Sequence, residues 1–495
     1  EYVAPKTNLQ KDLVAIWENI LNTKPIGIND NFFELGGDSL LAMNLNVELL
    51  KITNKVTYAD IFRFPTIKEL SGKITNSDSI EPLFNKIENL SSSLPDILNI
   101  STQKAPLTKF EPNNILLTGA TGFLGIHILE QFINNVNGSI YCIVRGEPGI
   151  TPITKLHQKL NYYFGNKYDD LLNKKIFAIP GNITAPGFGL NQEDLLKLAN
   201  TVDAVVNSAA IVAHFGDYGK FYRTNVQSVK YMIDFCKSFN KKLYHISTLS
   251  VSGDELDKSA PKKFKKKTWF KFKKSDTVTF DESCLYIGQK LDSVYTRSKF
   301  EAEICLLEAI NQGLDGYIFR MGNLMPRFQD GKFQENVLDN DFIQKVISFI
   351  KVGAIPDYIQ NRPLEFTPID VASNAIYKII TNNSKQNRIF HIHNHNIIQI
   401  KKLVAILKKS GLNIDILPED KFKIRINSII NNEISKNMLK NLINDFDKDL
   451  HLKYNSDIIV ISNFTNKYLN KSGFKWPKIQ NKYLVRFVDL LKRVI

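Results

Sequence analysis

The sequence predicts a multidomain chain: a four-helix bundle, then a doubly wound α/β domain with a smaller mixed, mainly helical lobe. Three observations carry this. Residues 1–76 hold apolar side chains at helical spacing. From residue 113, short β-branched runs alternate with helical stretches, the pattern of a parallel sheet with crossover helices. From about residue 321 that rhythm breaks, and 396–495 is rich in Asn, Lys and Ile and mostly helical in pattern. A length of 495 residues suits two to four cores rather than one.

In the bundle, Leu9, Leu13, Ile16, Trp17, Ile20 and Leu21 repeat along the first helix. Asp38 is placed to cap a second helix striped by Leu41, Leu45 and Leu49. Tyr58–Phe64 forms a short third, and Thr66-Ile-Lys-Glu69 is a capping-box start for a fourth. Residues 77–108, with three consecutive serines and little periodicity, read as a linker. Strands are expected at 114–118, 139–144, 175–179, 203–207, 242–247 and 316–320. The division that follows is 1–76, linker 77–108, a dinucleotide-binding domain 109–365 that includes part of the substrate lobe from about 321, and a C-terminal substrate-binding lobe 366–495.

Composition is that of a soluble globular protein, 43% hydrophobic and 23% charged. No run of about eighteen apolar residues exists, so no membrane span is expected. The first residues lack the regions of a signal peptide and do not begin with Met, which suggests a cytoplasmic piece of a longer polypeptide. Four cysteines without C-x-x-C spacing indicate neither a metal site nor a disulfide framework. The net charge of +14 reads as a lysine-rich surface. Its densest run, Lys258–Lys274, interleaves nine lysines with aromatic residues. No nucleic-acid fold surrounds that run, so a solvated loop is expected and a nucleic-acid partner is not.

Ser39 follows two glycines in Asn31-Phe-Phe-Glu-Leu-Gly-Gly-Asp-Ser-Leu-Leu-Ala42. A serine at a helix start can carry a phosphodiester-linked arm where backbone N–H groups meet the phosphate. Ile115-Leu-Leu-Thr-Gly-Ala-Thr-Gly-Phe-Leu-Gly125 runs from a strand through a glycine turn into a helix. Gly119, Thr121, Gly122, Phe123, Leu124 and Gly125 are therefore candidate pyrophosphate contacts. The next strand ends in Arg145 rather than an acidic residue, which suits a 2′-phosphate and hence NADPH. Val205-Val-Asn-Ser-Ala-Ala210 places small residues, Ser208 and Ala209, at another strand end beside the cofactor. Tyr295-Thr-Arg-Ser-Lys299 sets a phenol and an ammonium on one helix face. A nearby ammonium helps a phenol give up a proton at neutral pH. Within His245-Ile-Ser-Thr-Leu-Ser250, Thr248 offers a hydroxyl at a strand end.

On these motifs, residues 1–76 resemble the peptidyl carrier domains of nonribosomal peptide synthetases. Residues 109–495 resemble the extended short-chain dehydrogenase/reductases. They are more closely similar to the terminal thioester reductase domains of those synthetases and to carboxylic acid reductases. Cys142-Ile-Val-Arg-Gly146, Ile246-Ser-Thr-Leu-Ser-Val251 and Arg320-Met-Gly-Asn323 add to the likeness. The resemblance implies 4′-phosphopantetheine on Ser39, attached by a phosphopantetheinyl transferase, and a Rossmann-like reductase using NADPH. It implies Thr248, Tyr295 and Lys299 as the catalytic set, with Asn225 orienting the lysine. Asn182 stands where the family commonly has an aspartate near the adenine, and His214 lies near the cofactor or substrate. The implied reaction is reductive release of a tethered aminoacyl or peptidyl thioester as aldehyde or alcohol, with upstream modules of the same polypeptide as partners. The alternative is the carrier–reductase end of a carboxylic acid or aminoadipate reductase.

Overall fold

The computed structural model describes residues 2–53, 56, 58–75, 86–90, 109–213, 217–257, 277–291, 293–382, 387–430, 439, 442, 445, 446, 450–452 and 456–495. Local hydrogen bonds start the helices of the first unit. Asn8–Leu21 (α1) begins at Thr7, whose hydroxyl accepts from the Gln10 amide at 3.1 Å. The Gln10 side chain accepts in return from the Thr7 amide at 3.3 Å. Ser39–Ile52 (α2) is capped by Asp38, whose carboxylate accepts from the Leu41 amide at 2.8 Å. After the short Tyr58–Arg63 (α3), Ile67–Thr75 (α4) starts on the Thr66–Glu69 box, both arms of which measure 3.2 Å. Each such cap contributes about 1 kcal/mol. The helices enclose a core of their own, with Leu13, Trp17, Phe32, Leu45, Leu49, Ile61 and Leu70 fully buried.

The second unit is a seven-stranded sheet whose pairings are all parallel. Its strands are Ile115–Thr118 (β1), Ile140–Val144 (β2), Ile176–Pro180 (β3), Ala204–Asn207 (β4), Lys242–Thr248 (β5), Gly316–Met321 (β6) and Ile389–Ile392 (β7). They lie side by side in the order β7-β6-β5-β4-β1-β2-β3. The direction of winding reverses between β1 and β4, and a crevice for a ligand opens outside the carboxyl ends of strands at such a switch. Successive residues of β1 face opposite cores, Ile115 and Leu117 one and Leu116 the other. Phe123–Asn135 (α5), Pro152–Phe164 (α6) and Ile369–Thr381 cover the first face. Gln192–Thr201, Ser228–Ser238 and Val294–Asn311 cover the second. The six strands expected from sequence form within two residues of their expected bounds. The seventh lies beyond residue 365: Ile389–Ile392 and helix Ile369–Thr381 join the nucleotide-binding core rather than a separate lobe.

Residues 86–90 of the expected linker form a helical turn. Ile87 and Leu90 are buried with the second-face helices, and Lys86 pairs with Glu308 at 3.4 Å. The lobe has a third core, built mainly by Asp341–Val352, Ile400–Lys409, Glu419–Ile430 and Asn481–Lys492. No helix among the described residues is long and apolar enough to cross a membrane.

One fully buried ion pair ties β5, β6 and helix Val294–Asn311 together. Arg320 Nη2 meets Glu303 Oε2 at 2.7 Å, with both side chains wholly buried. Ser247 donates to Glu303 at 2.5 Å, and Arg320 also donates to the Cys284 carbonyl at 2.9 Å. Removing one partner leaves the other charge buried without compensation. Arg320→Met is therefore expected to cost about 3–5 kcal/mol in a denaturant melt. Arg320→Met combined with Glu303→Leu is expected to recover most of that loss, and an additive double variant would contradict this account.

Candidate active site

The glycine turn after β1 is a cradle that only glycine fits. Gly119 has φ +72°, and a Cβ there would lie 2.6 Å from the Ala209 amide nitrogen. A Cβ on Gly125 would lie 2.0 Å from the Gly119 carbonyl oxygen. The turn thus closes against the Ser208–Ala209 end of β4, where the Ser208 amide donates to Thr118 O at 3.2 Å. Gly122 caps α5 without a side-chain bond, and no acidic residue occupies the first turn. Its leading amides suit an anion such as a pyrophosphate. Thr121 and Phe123 are half-buried while Leu124 is buried, so Leu124 offers a ligand only its backbone. Phe123 also packs edge-on to Phe333 at 5.1 Å, joining the turn to the lobe.

Arg145 is exposed just past β2, and Asn182 is exposed just past β3 on the neighbouring strand. The Asn182 side-chain oxygen closes a local turn, accepting from the Thr184 amide at 3.1 Å. Close to Arg145, Glu147 pairs with Lys155, and Lys159 pairs with Glu335.

Thr248 ends β5 and accepts from the Ser250 amide at 3.1 Å. Its side chain is hydrogen-bonded to that of Tyr295, in the first turn of helix Val294–Asn311. One turn later Lys299, 2% exposed, donates to the Ile246 carbonyl at 2.5 Å and lies 3.3 Å from His245 Nε2. Asn225 sits in a π-helical turn, Tyr222–Gln227. Its oxygen accepts from the Ile211 amide at 2.8 Å, and its nitrogen donates to Ile211 O at 3.0 Å and Ser298 Oγ at 2.9 Å. Asn225 therefore fixes the residue before Lys299, while His245 and Ile246 meet the lysine itself.

A polar chain continues inward from the lysine. His245 Nδ1 lies 3.0 Å from Asn207 Nδ2, and Asn207 Oδ1 accepts from Thr118 Oγ at 2.7 Å and from the Ala209 amide at 3.2 Å. Sequence reasoning named neither Asn207 nor His245 as a site residue. The available signal was a polar residue closing the apolar run Ala204–Val206 and a histidine after the apolar pair Leu243-Tyr244.

The NAD-binding family model described as male sterility protein matches residues 117–376. The chain belongs to that family. The model described as phosphopantetheine attachment site matches residues 11–74. A thiolation-reductase di-domain from an archaeal non-ribosomal peptide synthetase superposes with a TM-score of 0.82 at 32% identity, covering 100% of this chain and 99% of that one. The reductase domain of the aureusimine biosynthetic cluster aligns at 25% identity and TM-score 0.66, over 83% of this chain and 98% of that one. A linear gramicidin synthase of Brevibacillus parabrevis is 25% identical over 100% of this chain. L-2-aminoadipate reductase of Saccharomyces cerevisiae is 25% identical over 88% of it. The chain spans only 9% and 32% of the lengths of those two proteins. It is thus a phosphopantetheine carrier domain followed by an extended short-chain reductase domain with an NAD(P)-type site.

In this carrier–reductase pair, Ser39 is the first residue of α2. A Cβ on the preceding Gly37 would lie 2.4 Å from Phe32, which packs on Trp17 at 4.9 Å between ring centres. The glycine seats the turn on the carrier core and so fixes where α2 begins. At the reductase site, burial pushes the Tyr295 phenol up to about 12, opposed by its bond with Thr248. Burial lowers the Lys299 ammonium to about 8, opposed by the Glu303 carboxylate one turn on. His214 and Lys258–Lys274 lie outside the described residues.

Proposed function

We propose that this chain reduces an aminoacyl or peptidyl thioester carried on a 4′-phosphopantetheine arm at Ser39 and releases it as an aldehyde, with a further round giving the alcohol. One observation carries the reading: a carrier helix start at Ser39 and a reductase site with Thr248, Tyr295 and Lys299 together beside a glycine cradle occur in a single chain. Bound dihydronicotinamide would supply the hydride, held by the Gly119–Gly125 turn, Ser208, Ala209 and, at the adenine end, Arg145 and Asn182. Thr248 and Tyr295 orient the thioester carbonyl and hydrogen-bond its oxygen as charge develops there. Tyr295 donates its proton to that oxygen. The hemithioacetal then loses the arm's thiol, and the aldehyde leaves.

The upstream modules of a nonribosomal peptide synthetase would load the arm, after a phosphopantetheinyl transferase has installed it. The archaeal di-domain, alike over the whole chain, supports that context. The likeness to yeast aminoadipate reductase supports a second reading, reduction of one amino acid by a shorter enzyme. Loading the arm with single aminoacyl and with dipeptidyl groups separates them: the first reading expects the peptidyl thioester to be reduced at least as fast. Nucleotide oxidation that proceeds equally without a loaded arm would refute both.

NADPH is expected to outcompete NADH, because Arg145 is exposed for pairing with the 2′-phosphate while its neighbours Lys155 and Lys159 are engaged by carboxylates. A charge-assisted contact is worth about 1.5–3 kcal/mol, or roughly tenfold or more in kcat/KM. Arg145→Ala should erase most of that preference. Equal kcat/KM for both nucleotides in the unaltered protein would overturn the assignment.

A further inference from the structure

The hydrogen-bond partners of His245 make it one more residue of the proposed reduction, a step that rests on that reading. Asn207 cannot be turned around: its oxygen already accepts from Thr118 Oγ and the Ala209 amide, so its nitrogen faces His245 Nδ1 as a donor. Nδ1 must accept, which puts the imidazole's single proton on Nε2. Nε2–H then points at Lys299 Nζ, 3.3 Å away. A neutral amine can accept that bond, whereas an ammonium cannot. The other tautomer would only move the donor–donor conflict to Asn207. Protonating the ring removes the acceptor altogether, and burial together with Lys299 keeps His245 far below its ordinary range.

We propose that His245, held by Asn207, is a positioning residue that favours the deprotonated form of Lys299 and so poises it as the proton reserve behind Tyr295. Tyr295 O–H gives its proton to the substrate oxygen as hydride reaches the carbonyl carbon. The phenolate then takes a proton from the Lys299 ammonium, one helical turn further along. The neutral amine left behind accepts the hydrogen bond waiting on His245 Nε2, and solvent later restores the proton. A group that must release a proton in each turnover works best with its affinity near the operating pH.

The charged and titratable groups facing Lys299 are few. Tyr295 and Glu303 share its helix. His245 faces it from β5. Arg320, on β6, is spent on Glu303 and reaches the lysine only through that carboxylate. Glu303 favours the ammonium and burial opposes it.

The test uses the whole chain with a loaded arm and saturating NADPH. His245→Leu removes the ring, and with it the donor that faces the lysine. Lys299 should then keep its proton to higher pH, and the alkaline limb of kcat should move up by about one pH unit, with NADPH affinity within threefold of the unaltered protein by fluorescence titration. Asn207→Asp, whose carboxylate accepts at Nδ1 and so holds the ring proton there, leaves Nε2 to accept from the ammonium; it should move the limb the same way and decides the matter if the Leu variant does not fold. Folded variants whose limb superimposes on that of the unaltered protein would overturn the proposal. Absence of reduction by the unaltered protein would instead overturn the reading beneath it.

Discussion

Tyr295→Phe is expected to lower kcat for reduction of the tethered thioester by about 10²–10⁴-fold, the usual worth of a positioned proton donor. On the proposed function the phenol acts on the oxygen that gains charge during the reaction, so NADPH affinity should stay within about threefold. Burial holds the phenol at about 12, so it remains protonated across the working range and its loss by ionisation does not compete with the effect of the substitution. The hydrogen bond to Thr248 favours release of the proton as the substrate oxygen takes it up. Single-turnover rates and a fluorescence titration of NADPH check both halves. A Tyr295→Phe variant that reduces at the unaltered rate would remove the phenol from the mechanism.

Ser39→Ala is expected to abolish attachment of the arm and with it all turnover of carrier-bound substrate. On the proposed function the loss is complete, because the hydroxyl would be the point of covalent bonding. The reductase site should survive untouched, since the carrier has a hydrophobic core of its own. A short pantetheine thioester supplied in solution should still be reduced by the variant, at the rate set by its own concentration. A tethered thioester enjoys an effective concentration in the millimolar range, which the variant forfeits. Mass measurement after incubation with coenzyme A and a phosphopantetheinyl transferase reads the first effect. An arm added to Ser39→Ala would place the attachment elsewhere.

The parts of this fold visible in the sequence are those fixed by near neighbours. The Thr66–Glu69 box and the Asp38 cap close within three residues, and both form. The six strands β1–β6 carry their apolar runs locally. Ile389–Ile392 does not announce itself: four residues become a strand by pairing with β6, some seventy residues earlier, and the intervening lobe hides that partner. The site divides the same way. Spacing alone puts Tyr295 and Lys299 one turn apart on a helix. That Lys299 meets His245, and His245 meets Asn207, depends on the register of β4 with β5, where Asn207 and His245 are direct partners. Asn225 is joined to the lysine's helix by the fold alone: its nitrogen reaches Ser298, the residue before Lys299, from more than seventy residues earlier in the chain.

The central claim is that hydride reaches the carbonyl carbon of a thioester borne on Ser39. It is tested most directly by loading the arm with an aminoacyl group, adding NADPH deuterated at the transferable position, and identifying the released molecule by mass. The account predicts an aldehyde or alcohol carrying deuterium at the former thioester carbon, with one nucleotide oxidised per two-electron step. Release of an unlabelled acid or a cyclised product, with the nucleotide unconsumed, would contradict it.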